Sequence, residues 1–284
     1  MKPCISQLTT LTNPFEADPA AYRGGGWTAV ELWLTKLESF VRAHSLAEAR
    51  AVLEGGGIRP VGAAGQGGLL LSRGAERAAH WDHFRRRLDL LGELGVTTMV
   101  LAADFAAAAP AAEDYAVAAA SLGEAAELAA PFGIRIALEF HKSSPVCACL
   151  ETALALVEQA GSRNAGVCLD VFHFQTGPSK HEDLGGLTVE NLAWVQLCDV
   201  SGTPRELAAD GDRILPGDGD FPLAPIVEHL ERIGYDGFVA LEVANPHLWQ
   251  VSADRVADLG YRALRRSLGP RMAEPAVAAV EGGP

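Results

Sequence analysis

The sequence has few basic residues, few cysteines and no long apolar run. Its 23 lysines and arginines are outnumbered by 36 aspartates and glutamates, which gives a formal net charge of −13. A negative field of this kind repels nucleic-acid phosphates and anionic membrane surfaces, so we expect neither as a partner. No stretch of about 18 apolar residues is present, so we also expect no membrane-spanning helix.

Residues 1–21 lack the apolar segment of a signal peptide, and the chain of 284 residues has an odd number of cysteines, five. Disulfides occur mainly in secreted proteins, whereas cytoplasmic proteins keep their thiols reduced. We therefore predict a cytoplasmic protein with free thiols. Cys147 and Cys149 could bind a soft metal, but no second pair of cysteines accompanies them.

Short apolar segments alternate with amphipathic helical stretches along the chain. Eight segments are strand candidates: residues 4–10, 29–34, 57–64, 96–102, 134–140, 165–171, 192–200 and 237–243. Helices are predicted over residues 45–55, 80–94, 114–132, 150–160, 223–233 and 252–268. Continuous apolar strands that alternate with helices indicate a parallel sheet covered by helices.

Eight strand–helix units predict an α/β protein, a (β/α)8 TIM barrel with parallel strands inside and helices outside. Asp170 lies 31 residues after Glu139, which is about the length of one unit in a barrel of roughly 250 residues. An open Rossmann-type sheet would need a glycine-rich turn after its first strand, whereas the glycine-rich segment 24–27 precedes a strand. We expect one barrel domain over residues 1–270 and a flexible tail over residues 271–284.

Each of the last four predicted strands has a polar residue near its carboxyl end. These residues are Glu139, Asp170, Gln196 and Glu242. The carboxyl ends of barrel strands form the mouth that holds the active site. One acidic residue there is commonly a helix cap or an ion-pair partner, but three carboxylates in one mouth would repel each other and shift each other's pKa. A bound cation would keep them ionised, and oxygen ligands suit Mg²⁺ or Mn²⁺ better than a soft metal.

The segments around these residues resemble the xylose-isomerase-like TIM-barrel superfamily, which includes sugar isomerases and epimerases, inosose dehydratases and family-2 apurinic endonucleases. The resemblance is clearest over residues 80–268 and rests on the segments ALEFH, CLDVFHF, VQLCD, RILPGDGDFPL and GYDGFVALEV. It implies that Glu139, Asp170, Gln196 and Glu242 bind one divalent metal ion. Mn²⁺ or Mg²⁺ is the expected ion, with Co²⁺ and Zn²⁺ as alternatives.

The resemblance also implies which residues contact the substrate. His173, three positions after Asp170, and Arg213, just before LPGDGD, match substrate-contacting residues of the family, and His141 occupies the position of another. His173 is thus expected to be a substrate contact and not a metal ligand; the alternative is a surface loop histidine. Most members have histidine where this chain has Gln196. Glutamine there resembles bacterial 3-dehydroshikimate dehydratases and lowers the expected affinity for zinc.

This set of residues suits proton abstraction beside a carbonyl. A metal ion that binds a carbonyl and the neighbouring hydroxyl acidifies the proton between them and stabilises an enediolate, while a carboxylate takes the proton. Glu139 and Glu242 are the expected catalytic pair. We predict a metal-dependent isomerase or epimerase that acts on a small keto-sugar or cyclitol. The alternative is a lyase of the 3-dehydroshikimate or inosose dehydratase type.

Two other classes fit the sequence less well. An apurinic endonuclease would need three zinc ions and histidines on strands three, four and seven, but RPVGAA and MVLAAD contain none. Asp212-Arg213-Ile214 stands where those enzymes have Asp-Arg-His. A non-catalytic binding barrel would not need the intact ligand set. Barrels of this group often form dimers, so a homodimer is one expected oligomeric state.

Several residues are weaker candidates for the wall of the pocket. They are Glu31 and Trp33 on strand two, Asp104 after strand four, and His247 and Trp249 after strand eight. The chain has no glycine-rich phosphate loop and no cluster of lysines and arginines at the later strand ends. We therefore expect a substrate without a phosphate group.

Overall fold

A computed structural model describes residues 1–105 and 109–273. Its strands are all parallel and form a closed barrel in chain order, in which the last strand pairs with the first. They are β1 (Lys2–Ser6), β2 (Ala29–Trp33), β3 (Arg59–Gln66), β4 (Thr98–Ala102), β5 (Arg135–Glu139), β6 (Ala165–Asp170), β7 (Leu192–Leu197) and β8 (Phe238–Leu241). The predicted (β/α)8 barrel is confirmed.

Helices surround the barrel. In the described residues they are α1 (Asp18–Gly24), α2 (Leu34–Ala43), α3 (Leu46–Gly55), α4 (Gly74–Glu93), α5 (Ala112–Ala129), α6 (Leu150–Ala160), α7 (Val171–Thr176), α8 (Leu223–Arg232) and α9 (Ala253–Leu268). None of them is long and apolar enough to cross a membrane. All five cysteines lie in the described residues and are free.

The first part of the chain differs most from the prediction. Residues 7–10, expected to continue strand one, form a 3₁₀ turn instead. The turn forms because Ser6 Oγ accepts a hydrogen bond from the Leu8 backbone and the Gln7 side chain binds across to Trp33 N at 3.1 Å. The unpredicted helix α2 buries Leu34, Leu37 and Phe40 at three-residue spacing. Leu34, predicted to end strand two, is therefore the first residue of this helix.

The inward face of the strands forms a compact layer below the barrel mouth. It contains Cys4, Ala29, Val61, Val100, Ala137, Cys168, Trp194 and Ala240. The Trp194 indole fills the middle of this layer, and a Cβ added to Gly62 would lie 2.6 Å from its ring. The strand residues between these pack outward against the helices, as expected where inward and outward side chains alternate.

The first residue of the chain contacts residues 271 and 273, near the end of the described part. The Met1 ammonium donates to the Arg271 carbonyl at 2.8 Å, and Ala273 N donates to the Met1 carbonyl at 2.7 Å. The rest of the tail expected over residues 271–284 lies outside the described residues. The division into a domain of residues 1–270 and a flexible tail therefore stays a prediction.

Candidate metal and substrate site

Strands β5 to β8 bring the four predicted residues together at the barrel mouth. Asp170 and Gln196 are register partners in neighbouring strands, and Gln196 Nε2 donates to Glu242 Oε1 at 2.9 Å. Asp170 and Gln196 are completely buried and Glu242 almost so, while the Glu139 side chain keeps 13% of its surface exposed. Each lies two positions after a residue of the inward layer, so the strand alternation aims all four side chains into the barrel.

Arg213 supplies a positive charge to this group. Its Nη1 and Nη2 donate to Asp170 Oδ1 and Oδ2 at 3.1 and 2.6 Å, and Nη1 also donates to Glu242 Oε2 at 3.3 Å. Asp210 Oδ1 accepts from Nη2 at 2.8 Å. The guanidinium lies 4.3 Å from the centre of the Phe172 ring. Burial alone would raise the pKa of Asp170, but the charge of Arg213 and its hydrogen bonds to the carboxylate lower it below its ordinary value.

The loop that carries Arg213 is held by Asp199. The backbone of Asp199 pairs with Ile214, at 3.0 and 2.8 Å, immediately after Arg213. Its carboxylate accepts hydrogen bonds from the backbone of Gly217, Gly219 and Phe221 at 2.9 to 3.1 Å. A Cβ on Gly219 would lie 2.3 Å from Asp199 Oδ1. The turn LPGDGD, residues 215–220, therefore positions Arg213 and is not itself a binding site.

The site contains more acidic groups than Arg213 can neutralise. Burial raises the pKa of Glu139 and Glu242 well above the ordinary value, and neighbouring carboxylates add to the rise. Burial also raises the pKa of Glu31 to about 7. A divalent cation would remove this mutual repulsion, because it favours the ionised form of each carboxylate near it. The donor set therefore fits such an ion.

His173 lies beside the predicted metal aspartate and not on a surface loop. Asp170 begins helix α7 by accepting a hydrogen bond from Phe172 N at 2.8 Å, and His173 is in the first turn. His173 Nε2 lies 3.5 Å from Asp170 Oδ2 and 3.9 Å from Glu139 Oε1. Burial lowers the pKa of His173 to about 3, so its ring is neutral. Among the described residues its buried Nδ1 has no hydrogen-bond partner.

Two groups of side chains have ligand atoms within 4.8 Å of one another. They are Glu139, Asp170 and His173, and His141, His173 and Asp210. His173 belongs to both groups, so it is placed to contact an ion held by Asp170 as well as a substrate beside it. Only the second role, contact with substrate, is expected from the sequence.

The rings of Phe105, His141 and His173 form a continuous wall on one side of the mouth. The His141 and His173 ring centres are 3.9 Å apart, and those of Phe105 and His141 are 4.7 Å apart. Phe105 is 62% exposed and lines a cavity of about 420 Å³ at the carboxyl ends of β3 and β4. Asp104 also lines this cavity, but its carboxylate accepts hydrogen bonds from Gly68 N and Leu71 N at 2.8 Å each. Asp104 therefore fixes a loop.

Gln196 turns the two ends of its amide in different directions. Its Nε2 faces Glu31 and Glu242, and its Oε1 accepts a hydrogen bond from Cys168 Sγ at 3.1 Å. Burial raises the pKa of the Cys168 thiol well above its ordinary value, so the thiol keeps the proton that it donates.

Glu31 and Asp210 have a larger part in the site than the sequence indicated. Asp210 accepts a hydrogen bond from Arg213 and lies beside His141 and His173. Glu31 was a candidate only for the pocket wall, yet it is completely buried and contacts Gln196 and Trp194 directly. Its position in AVELW was a usable signal, because an acid flanked by apolar residues in a barrel strand points inward. Trp249 instead anchors a loop, because its Nε1 donates to the Leu8 carbonyl at 2.9 Å.

Comparisons with known proteins agree with this architecture. The family model for xylose isomerase-like TIM barrels matches residues 20–267, so the chain belongs to that family. An inosose isomerase of Halalkalibacterium halodurans is 26% identical over 269 residues, which cover 89% of this chain and 92% of the relative. A 3-dehydroshikimate dehydratase of Pseudomonas aeruginosa is 31% identical over 177 residues, which cover 62% of this chain and 27% of the dehydratase.

The same fold is found among solved structures. A structure of the IOLI protein with a bound zinc atom has a TM-score of 0.86 and 22% sequence identity to this chain. The match covers 94% of this chain and 98% of the other.

Proposed function

We propose that this protein is a divalent-metal-dependent isomerase or epimerase that transfers protons on a small keto-sugar or cyclitol. The observation that carries the proposal is the placement of two glutamates, the partly buried Glu139 and the buried Glu242, on either side of Asp170 and Gln196 around the barrel mouth. Membership of the xylose isomerase-like family supports an enzyme of this kind, and the inosose isomerase relative supports a cyclitol as substrate.

Glu139, Asp170, Gln196 and Glu242 are the residues that would hold the ion. Their oxygen donors favour Mn²⁺ or Mg²⁺, and Co²⁺ or Zn²⁺ would also be accepted. The zinc atom in the related solved structure supports a divalent ion without deciding its identity here. When bound, the ion would act as a Lewis acid toward a substrate carbonyl and its neighbouring hydroxyl.

Proton transfer falls to Glu139 and Glu242. Burial raises the pKa of both carboxyl groups well above the ordinary value, which makes each a stronger base that can accept a proton and later return it. Because the two glutamates approach from different strands, one can remove a proton from one face of the substrate while the other delivers a proton to the opposite face. That sequence inverts a carbon centre. Return of the proton to the adjacent carbon gives isomerisation instead.

His141, His173 and Arg213 would orient the substrate. His173 presents a neutral imidazole beside Asp170 and Glu139, which suits hydrogen bonding to a hydroxyl group. His141 and Phe105 extend this surface toward the cavity at β3 and β4. Arg213 already donates to three carboxylates, so it would contact the substrate while it also acts as the counter-ion of these carboxylates.

A lyase of the 3-dehydroshikimate or inosose dehydratase type is the second candidate. Gln196 favours it, because the sequence resembles such dehydratases at this position, and one relative is a 3-dehydroshikimate dehydratase. The chemistry differs only after the first proton transfer, when a hydroxyl group leaves. The free cysteines agree with the predicted cytoplasmic location, which stays a prediction, as does a homodimer.

A substrate screen tests the proposal. Metal-free protein is supplied in turn with Mn²⁺, Mg²⁺, Co²⁺ or Zn²⁺ and incubated with inososes, ketoses and 3-dehydroshikimate. Chromatography detects exchange between isomers, and mass spectrometry detects loss of water. Isomer exchange supports the isomerase or epimerase, loss of water supports the lyase, and inactivity on every substrate with every ion would count against both.

A further inference from the structure

Glu31 lies inside the barrel, where the side chains of two β7 residues contact its carboxylate. Trp194 Nε1 donates to Glu31 Oε2, and Gln196 Nε2 lies 3.3 and 3.2 Å from Glu31 Oε1 and Oε2. Trp194 and Gln196 are two positions apart and both point inward. The completely buried carboxylate of Glu31 therefore accepts hydrogen bonds from two side chains of the same strand, the Trp194 indole and the Gln196 amide.

The space for this contact is built into the fold. The Trp194 ring lies so close to Gly62 of β3 that a Cβ there would be 2.6 Å from the ring atoms Cζ2 and Cη2. Glycine at this position lets the indole lie across the barrel with its Nε1 toward Glu31. Trp194 thus limits the movement of the Glu31 carboxylate.

The Glu31 carboxylate determines which end of the Gln196 amide faces it. In its ionised form the Glu31 carboxylate only accepts hydrogen bonds, so this form selects the amide nitrogen and rejects the oxygen. Glu242 Oε1 accepts from the same nitrogen at 2.9 Å, so both N–H groups point at carboxylates. The amide oxygen is left facing Cys168 of the inward layer, whose Sγ donates to it at 3.1 Å.

We propose that Glu31 is a positioning residue for Gln196. By holding the amide nitrogen, Glu31 fixes which end of the amide can turn toward an ion and thereby sets the affinity of the site for a divalent ion. The inference rests on the proposed metal-binding function, and it assigns a role to a residue that would not itself touch the ion. Residues that orient metal ligands in this way commonly change metal affinity by about tenfold to a hundredfold when they are replaced.

The test is a double-mutant cycle on Mn²⁺ affinity, measured by titration calorimetry of metal-free protein. Glu31→Gln keeps the size of the side chain but can both donate and accept, so it no longer distinguishes the two ends of the Gln196 amide. We expect the Kd for Mn²⁺ to rise about tenfold to a hundredfold, with unchanged circular dichroism. In a Gln196→Ala background the same replacement should have no further effect, because Glu31 acts through Gln196.

Two further variants complete the experiment. Trp194→Phe removes one donor to Glu31 and should weaken Mn²⁺ binding in the same direction by a smaller factor, which keeps the inference testable if Glu31→Gln fails to fold. Glu38→Gln is the matched control, because Glu38 pairs with Arg87 and His83 away from the site and should leave the Kd unchanged.

The outcomes separate this inference from the proposal on which it rests. Wild-type affinity in Glu31→Gln, or an equal loss in the Gln196→Ala background, would overturn the role of Glu31 alone. Failure of the wild-type protein to bind Mn²⁺, Mg²⁺, Co²⁺ or Zn²⁺ would overturn the proposed function and the inference with it.

Discussion

Arg213 binds Asp170 through two hydrogen bonds, Nη1 to Oδ1 at 3.1 Å and Nη2 to Oδ2 at 2.6 Å. Both side chains are buried, so neither charge can be screened by water. Glu242 and Asp210 share the same guanidinium. One arginine thus offsets much of the repulsion in the mouth, and the electrostatics of the site depend on it.

Replacing Arg213 should destabilise the metal-free protein. Arg213→Met leaves buried carboxylates without their counter-ion, which costs about 3–5 kcal/mol for a buried pair at neutral pH. Arg213→Lys keeps the charge but loses the two-pronged contact, so it should fall between wild type and Arg213→Met. Urea unfolding at pH 7 measures the difference. A loss below about 1 kcal/mol in Arg213→Met would show that the pair behaves like an exposed one.

The buried glutamates should make the metal-free protein less stable as the pH rises. Burial raises the pKa of Glu31 from 4.5 to about 7, so the folded state holds a proton that the unfolded state has already lost. Between these values unfolding therefore becomes easier with increasing pH. Glu31→Gln removes this titration, and its stability relative to wild type should rise from pH 4.5 to pH 7. A pH-independent difference in unfolding free energy would contradict the assignment.

Removing either proton-transfer group should abolish turnover. Glu139→Gln and Glu242→Gln keep the size of the side chain but cannot accept a proton, and we expect kcat to fall by about 10²- to 10⁴-fold. The measurement is turnover of the best substrate from the screen, at an ion concentration that saturates each variant. Substantial turnover by a folded, metal-loaded variant would mean that the proton moves through another group.

Gln196→His should keep metal binding and shift the preference toward zinc. Imidazole nitrogen is a better ligand than an amide oxygen for Zn²⁺, while Mg²⁺ prefers oxygen. Competition between Zn²⁺ and Mg²⁺ for the metal-free variant measures the shift. Loss of all binding would indicate that Gln196 is not a ligand in the proposed way.

Gly62 should not tolerate a side chain. Gly62→Ala would place a methyl group 2.6 Å from the Trp194 ring, and this overpacking should cost about 1–3 kcal/mol of unfolding free energy. Gly55→Ala is the control, because a Cβ there meets nothing within 4 Å. Equal stability of the two variants would show that the Trp194 ring can move without cost.

The later strands were predictable because each is a short apolar run that ends in a polar residue. Glu139, Asp170 and Gln196 could be placed at the mouth from their positions at the strand ends, since a barrel brings the carboxyl ends of its strands together. The early part of the chain was harder. The pattern of residues 7–10 predicts strand, but they form a turn in which Gln7 Oε1 accepts a hydrogen bond from Trp33 N at the end of the neighbouring strand β2.

The network beneath the mouth could not be predicted from the sequence. Glu31 and Gln196 are 165 positions apart, and their contact depends on how far the barrel closes and on the space left by Gly62. The ion pair between Arg213 and Asp170 depends on a loop whose shape is set by hydrogen bonds to the Asp199 carboxylate. Local patterns identify such residues as inward or as loop, but the fold decides which of them meet.

Titration of the metal-free protein with Mn²⁺ tests the central claim most directly. We expect one bound ion per chain, with binding severely weakened in Asp170→Asn while circular dichroism stays unchanged. If the wild-type protein binds no Mn²⁺, Mg²⁺, Co²⁺ or Zn²⁺, or if Asp170→Asn binds as tightly as wild type, the residues at the mouth of this barrel do not form a metal site.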